Sequence, residues 1–167
     1  MSARLRTFFL PTCLASLAVL VASFYLEVTL GLMPCPLCLS QRVLLGVYAA
    51  ICLCAAVHAP GSVGVRRYAW AALASSSLGA LLAARHVWLQ GADLASHACP
   101  TSICPLFEQP WSEVARQLLL GGPDCSSLTW SFLELTLPEW SLLTFVLLAT
   151  LPVVFLLAYR FRTLGKT

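Results

Sequence analysis

The sequence predicts an all-α membrane protein, a bundle of four transmembrane helices with two outward loops, the second loop carrying a short interfacial amphipathic helix. Three observations carry this expectation. Of 167 residues, 59% are hydrophobic and only 10% are charged, against about a quarter charged in a soluble domain. Four runs without Asp, Glu, Lys or Arg, at 8–26, 43–59, 68–84 and 140–159, reach or approach the about 20 residues that a helix needs to cross a bilayer core. The charges segregate: seven of the ten basic residues (Arg4, Arg6, Arg66, Arg67, Arg160, Arg162 and Lys166) fall on one side of those runs, and all seven acids fall on the other.

Taken in order, the helices are expected at about 8–27, 39–59, 67–88 and 139–160, with outward loops at about 28–38 and 89–138, where flanking residues extend the two short middle runs. The first run follows Arg4 and Arg6 and resembles the core of a secretory signal. It is long and lacks a persuasive small-x-small cleavage site, so it is expected to stay as the first helix. No Ser/Gly/Pro linker and no internal repeat divides the chain, so 1–167 is expected to form a single domain. The positive-inside rule puts both termini and the Arg66/Arg67 turn in the cytoplasm and both long loops outside. The net charge of +3 reflects those cytoplasmic flanks. It forms no basic patch with interleaved aromatics, which excludes a nucleic-acid partner and leaves the lipid bilayer as the first one.

Where the first loop meets the second helix stands Met33-Pro34-Cys35-Pro36-Leu37-Cys38-Leu39-Ser40-Gln41-Arg42. Two cysteines at this spacing on the first turn of a helix can close into a disulfide, and the unpaired N–H groups and positive dipole end there stabilise a thiolate. With the helix starting near Pro36, Arg42 lies one turn beyond Cys38 on the same face, where its guanidinium can meet negative charge on that sulfur. A basic group at this depth in a membrane is costly and points to function.

The eight cysteines form two groups. Cys13, Cys52 and Cys54 lie in apolar helices, where cysteine acts as a small hydrophobe. Cys35, Cys38, Cys99, Cys104 and Cys125 lie outward, in a compartment where disulfides persist, such as the outside of a bacterial inner membrane or an organelle lumen. Five is odd, so at most two pairs form. Stapling of an irregular loop is one alternative. A zinc site built from Cys35/Cys38 and Cys99/Cys104 is another, but the prolines that follow both loop cysteines give no neat paired spacing, and no metal is expected.

After the third run comes Arg85-His86-Val87-Trp88-Leu89-Gln90. Trp88 reads as an interface anchor. Arg85 and His86 fit either headgroup contact or a ligand role, His86 being able to hydrogen-bond a carbonyl and exchange protons with it. Further along, Trp111, Val114, Ala115, Leu118 and Leu119 recur at helical spacing opposite Ser112, Glu113, Arg116 and Gln117, an amphipathic helix expected to lie on the membrane. Gly121-Gly122-Pro123 ends it, Asp124-Cys125 follows on a turn, and Pro138 suits the entry to the last helix.

Together these residues resemble the disulfide bond formation protein B (DsbB) family, membrane oxidoreductases that recharge the periplasmic thiol oxidase DsbA. The resemblance spans nearly the whole chain: Pro-Cys-x-x-Cys-x3-Arg opening the second helix, Arg-His-x-x-Leu-Gln after the third, and Gly-x-Asp-Cys-x4-Trp-x-Phe-Leu before the fourth. It implies a multi-pass protein of the bacterial inner membrane with periplasmic redox cysteines. It also implies that Cys35 and Cys38 pass electrons to a bound quinone, ubiquinone or, under anaerobic conditions, menaquinone. Cys38 would be the sulfur nearest the quinone ring, with Arg42 and His86 beside it. Cys125 would pair with Cys99 or with Cys104, Cys99 fitting the family's spacing better, and DsbA would attack that second disulfide. Gln41 stands where some members carry an acid. The membrane quinone pool is the expected electron sink, because DsbA, at about −120 mV, needs an acceptor more positive than glutathione. Two rivals are a vitamin-K-epoxide-reductase-like protein, whose redox pair lies late in the bundle, and a non-enzymatic scaffold or metal carrier, which predicts no quinone dependence.

Overall fold

The computed structural model of the chain describes residues 2–31, 35–91, 110–120 and 131–164. In chain order these form α1 (Ser2–Leu30), α2 (Pro36–His58), α3 (Ser62–Gly91), α4 (Trp111–Leu120), β1 (Ser131–Phe132), β2 (Leu135–Thr136) and α5 (Leu137–Leu164). Among the described residues, three helices are long and apolar enough to cross a membrane, over Phe9–Leu30, Pro36–His58 and Leu137–Phe161. The third long helix, α3, has 30 residues but is less apolar. Its middle is built from small residues and three successive serines, Ser75 to Ser77, and Arg66, Arg67 and Arg85 flank it.

Each long helix runs past the apolar segment that announces it, except at the end of α2. Hydropathy marks the thickness of the bilayer, whereas the backbone hydrogen-bond ladder continues through polar flanks until a residue stops it. Gly31 stops α1 with φ +62, a left-handed conformation that a residue without Cβ adopts freely. Ala59 stops α2 at φ 42, ψ 52, and Pro60 follows it.

The helices pack in succession, α1 on α2, α2 on α3 and α3 on α5, with α4 seated against α2. The core between them contains Phe9, Cys13, Tyr48, Cys52, Ala72, Phe145 and Leu148. Cys13 and Cys52 thus serve as core hydrophobes, while Cys54 is exposed on the outer face of α2. Hydroxyls stitch the layers together where the backbone offers a carbonyl: Tyr48 Oη donates to Leu148 O at 3.2 Å, and Ser75 Oγ donates to Leu44 O at 3.0 Å. Small residues on α3 let α5 come close. A Cβ on Gly79 would stand 2.2 Å from the Phe145 ring.

The segment before α5 contains a feature that the sequence did not announce. β1 and β2 form a two-residue antiparallel ladder, Ser131 opposite Thr136 and Phe132 opposite Leu135. The turn between them places Leu133 and Glu134 at φ 53 and φ 64, the mirror-image geometry that usually calls for Asn-Gly. With neither residue present, the turn has no composition cue. The hairpin feeds directly into α5: Thr136 N–H donates to Glu139 Oε2 at 2.6 Å, so a carboxylate in the first turn caps the helix entry. Thr136 Oγ1 also reaches Gln90 Oε1 at 3.1 Å, tying the start of α5 to the end of α3.

Replacing Gly79 by Ala should force α3 and α5 apart and lower stability by about 1–3 kcal/mol, the range for overpacking a filled site. Thermal unfolding of the detergent-purified protein measures this, and a second change, Phe145→Leu, should recover part of the loss.

Candidate functional site

The site is built on the N-terminus of α2, and its first element is a sulfur. Cys35 is the N-cap, with extended backbone at φ −76, ψ 160. Its Sγ accepts from Cys38 N–H at 3.3 Å, while its carbonyl accepts from Leu39 N–H at 3.1 Å. Pro36 fills the first helical position, where a missing N–H costs nothing and a fixed φ suits the helix. The Cys-x-x-Cys motif and the helix start are therefore one structure. The Sγ atoms of Cys35 and Cys38 stand 2.9 Å apart, Cys35 donating to Cys38. That direction leaves the Cys38 sulfur as the acceptor of the pair.

Behind the sulfurs lies a chain of buried polar groups drawn from three helices. His86, on α3, is fully buried. Its Nε2 is 3.7 Å from Cys35 Sγ, and its Nδ1 is 3.5 Å from Gln41 Nε2. Ser141 Oγ, on α5, donates to Gln41 Oε1 at 2.7 Å. The polarity of this relay can be followed atom by atom. With the Gln41 carbonyl taken by Ser141, the amide NH2 faces the imidazole and donates to Nδ1. Nδ1 is then the acceptor, Nε2 carries the ring proton, and that proton points at the sulfur.

On the opposite flank Arg42 turns toward α1. Its guanidinium pairs with Glu27, Nε donates to Ser23 Oγ at 2.8 Å, and the group lies 4.7 Å over the Phe24 ring. The pair is partly buried, with Arg42 14% and Glu27 26% exposed. Several contacts fix the guanidinium in one orientation, and Glu27 offsets the charge that burial would otherwise penalise.

These groups border one cavity of ≈ 290 Å³ between α1, α2, α3 and α5. Val19, Ala22, Leu26, Leu45 and Phe145 give it apolar walls; Cys38, Gln41, Arg42, His86 and Ser141 present polar atoms to it. A mostly apolar cleft with a few convergent polar groups suits a flat, weakly polar ligand that hydrogen-bonds through carbonyl oxygens.

The structure thus brings together four of the residues singled out from the sequence: Cys35, Cys38, Arg42 and His86. Headgroup contact was one expectation for His86; the structure buries it beside the sulfurs. Arg85 is exposed, as is Trp88 at 74%. Cys99, Cys104 and Cys125 lie outside the described residues. Sequence reasoning gave no site role to Gln41, Ser141, Ser23 or Glu27. Gln41 alone left a signal, a polar residue on the same helical turn as Arg42 with an apolar run behind it. Ser141 and Ser23 look like any serine in a membrane helix. α4 approaches through Ser40 Oγ, which donates to Leu118 O at 2.8 Å and holds the short helix next to the cysteine turn.

Known proteins resemble the chain over nearly its whole length. The family model for disulfide bond formation protein DsbB matches residues 5–155. The chain is 70% identical over 165 residues to disulfide bond formation protein B 2 of Pseudomonas putida, covering 99% of this chain and 98% of that one. It is 37% identical over 143 residues to disulfide bond formation protein B of Stutzerimonas stutzeri, covering 84% of this chain and 88% of that one. Disulfide bond formation protein B 1 of Pseudomonas aeruginosa is 38% identical over the same length, with the same coverage.

The relay makes a direct spectroscopic prediction. In the reduced protein the His86 imidazole should be a single neutral tautomer protonated at Nε2, read from its 15N shifts, and Gln41→Leu should give a mixture of tautomers. A wild-type ring protonated at Nδ1 would contradict the relay.

Proposed function

The chain belongs to the disulfide bond formation protein B family, whose members re-oxidise DsbA and pass the electrons to quinone, and from that premise we propose how its own residues divide the work. Cys35 and Cys38 form the pair that delivers electrons to a quinone held in the cavity of α1, α2, α3 and α5. The observation that carries this is the convergence of the Cys38 sulfur, Arg42 and His86 on one apolar-walled cleft.

Exchange begins outside. The thiolate of a reduced DsbA-like partner opens a disulfide between Cys125 and Cys99, with Cys104 as the alternative to Cys99, and forms a mixed disulfide with the loop. Cys125, released as a thiolate, attacks Cys35 Sγ of the oxidised pair. The Cys35–Cys38 bond breaks, and Cys38 leaves as a thiolate. Two features make that departure easy: the N–H groups at the start of α2 face the sulfur turn, and the proton on His86 Nε2 faces the same pair. Arg42 contributes fixed positive charge on the cavity wall, held in place by Glu27 and Ser23.

A bound quinone supplies a two-electron, two-proton acceptor. The chain's part is to seat its headgroup, and the donors available for its carbonyl oxygens are those of Arg42 and the second amide N–H of Gln41, while His86 lines the cavity with its proton directed at the sulfurs. The apolar walls exclude water and accept the hydrophobic ring. Ser141 and Gln41 orient His86, so the proton at Nε2 stays directed at the sulfurs and is not lost to a rotating ring.

The chain is an inner-membrane protein, and we place both termini and the Arg66/Arg67 turn on the cytoplasmic side, with Cys35, Cys38 and the loop cysteines in the periplasm. In this arrangement α3 is the fourth span. Small residues and serine cost it hydropathy, but Ser75, Ser76 and Gly79 among them are buried in the bundle, as the Ser75 to Leu44 bond illustrates.

Re-oxidation of reduced DsbA by the purified protein, with and without added quinone, tests this reading. Cys38→Ser should abolish quinone-dependent turnover with the fold intact. Of Cys99→Ser and Cys104→Ser, the one that also fails identifies the sulfur attacked by DsbA. Arg42→Met should raise the KM for quinone at least about tenfold, equivalent to about 1.4 kcal/mol of lost binding. Full turnover in Cys38→Ser would overturn the assignment.

A further inference from the structure

We propose that Cys35, Cys38 and His86 form a binding site for a thiophilic divalent metal ion, with zinc as the representative, open only while the two cysteines are reduced. The three donor atoms, two sulfurs and one imidazole nitrogen, lie within 4.8 Å of one another. A tetrahedral zinc ion holds thiolates at about 2.3 Å and imidazole nitrogens at about 2.0–2.1 Å, which sets its donors about 3.5–3.8 Å apart. Cys35 Sγ and His86 Nε2 already stand at 3.7 Å. The sulfurs, at 2.9 Å, need to part by about 1 Å to match that tetrahedral spacing. Cys38, only partly buried and facing the cavity, can supply that movement by a small rotation of its side chain.

The surroundings fit an ion as well as the donors do. Two thiolates balance a divalent charge, so the loaded site adds no net charge to a buried position. The fourth coordination position opens on the cavity that Cys38 and His86 line, where water or a small ligand can complete the tetrahedron. Gln41 provides the outer support. When Nε2 binds metal, Nδ1 carries the proton; the Gln41 amide turns over so that its oxygen accepts that proton, and the Ser141 hydroxyl then accepts from the amide nitrogen. Metal-bound histidines are held through such an outer acceptor.

Loading is an acid–base step without redox change: the ion displaces the two thiol protons, the His86 ring proton passes from Nε2 to Nδ1, and two metal–sulfur bonds and one metal–nitrogen bond form. Oxidation of the pair to a disulfide removes both thiolates and expels the ion. Metal and disulfide are therefore mutually exclusive states of the same two sulfurs. The consequence for turnover rests on the oxidase reading: an ion on the reduced pair withholds its electrons from the quinone and stalls the enzyme in its reduced form.

The test uses Co2+ as an optical probe, titrated without oxygen into the reduced full-length protein in detergent. Cys99, Cys104 and Cys125 are changed to Ser so that the loop thiols cannot compete. The expected result is the visible absorption of a tetrahedral thiolate site saturating at one Co2+ per chain and displaced by Zn2+. It should vanish after the pair is oxidised with diamide and in Cys38→Ser, and weaken by more than about tenfold in His86→Ala. The oxidised arm leaves every donor residue in place, so it decides the matter even if a substituted chain fails to fold. No such absorption in the reduced protein, unchanged affinity in His86→Ala, or persistence after oxidation would overturn the site. Neither DsbA nor quinone is present, so failure here is separate from failure of the oxidase reading.

Discussion

The sulfur of Cys35 caps α2, and the rest of the site follows from that bond. An N-cap side chain must accept from the N–H groups that the first helical turn leaves free, a role usually taken by Ser, Thr, Asp or Asn. Here a thiol does it, donated to by Cys38 N–H at 3.3 Å. The same contact draws Cys38 back over the helix end, so its sulfur lies 2.9 Å from that of Cys35. Helix initiation and redox pairing thus share one set of atoms. Pro36 secures the arrangement by fixing the backbone where the cap needs it.

From that turn, the periodicity of α2 distributes the other groups. Gln41 and Arg42 follow one turn later and, being adjacent, point to different neighbours. Gln41 reaches inward to His86 and Ser141, and Arg42 reaches sideways to Ser23 and Glu27. Each of the four packed helices therefore contributes to the cavity. The polar groups are expensive to hold within an apolar protein, and the structure meets that cost by satisfying them: among the described residues, no buried side-chain N or O lacks a partner. A network so connected behaves as a unit, which is why a serine on α5 can influence a sulfur on α2.

The helices were legible in the sequence because apolar runs and segregated arginines are dictated by the bilayer itself. Their ends were less so, since Ser2 and Leu164 lie well outside the runs and belong to helices only through backbone continuity. Cys35, Cys38 and Arg42 were legible because their spacing falls on one helical turn. His86 was visible as a motif residue but ambiguous in place: its neighbour Arg85 is exposed while His86 itself is fully buried, and adjacent residues on a helix always face different ways. Glu27, Ser23 and Ser141 were invisible as partners because they come from other helices, and nothing in local sequence encodes which faces meet. The hairpin at Leu133 and Glu134 escaped for a related reason, its left-handed turn being set by context and not by Gly or Asn.

The claim at the centre of this account is that the quinone sits in the cleft between Cys38, Arg42 and His86. Photolabelling with an aryl-azide quinone analogue, mapped by peptide mass spectrometry on the purified protein, addresses it most directly. The account predicts labelling of cavity-lining residues such as Val19, Leu45 and Phe145, suppressed by excess ubiquinone. Labelling confined to the outer faces of the helices, at residues such as Val21 or Val154, and indifferent to competing quinone, would contradict it.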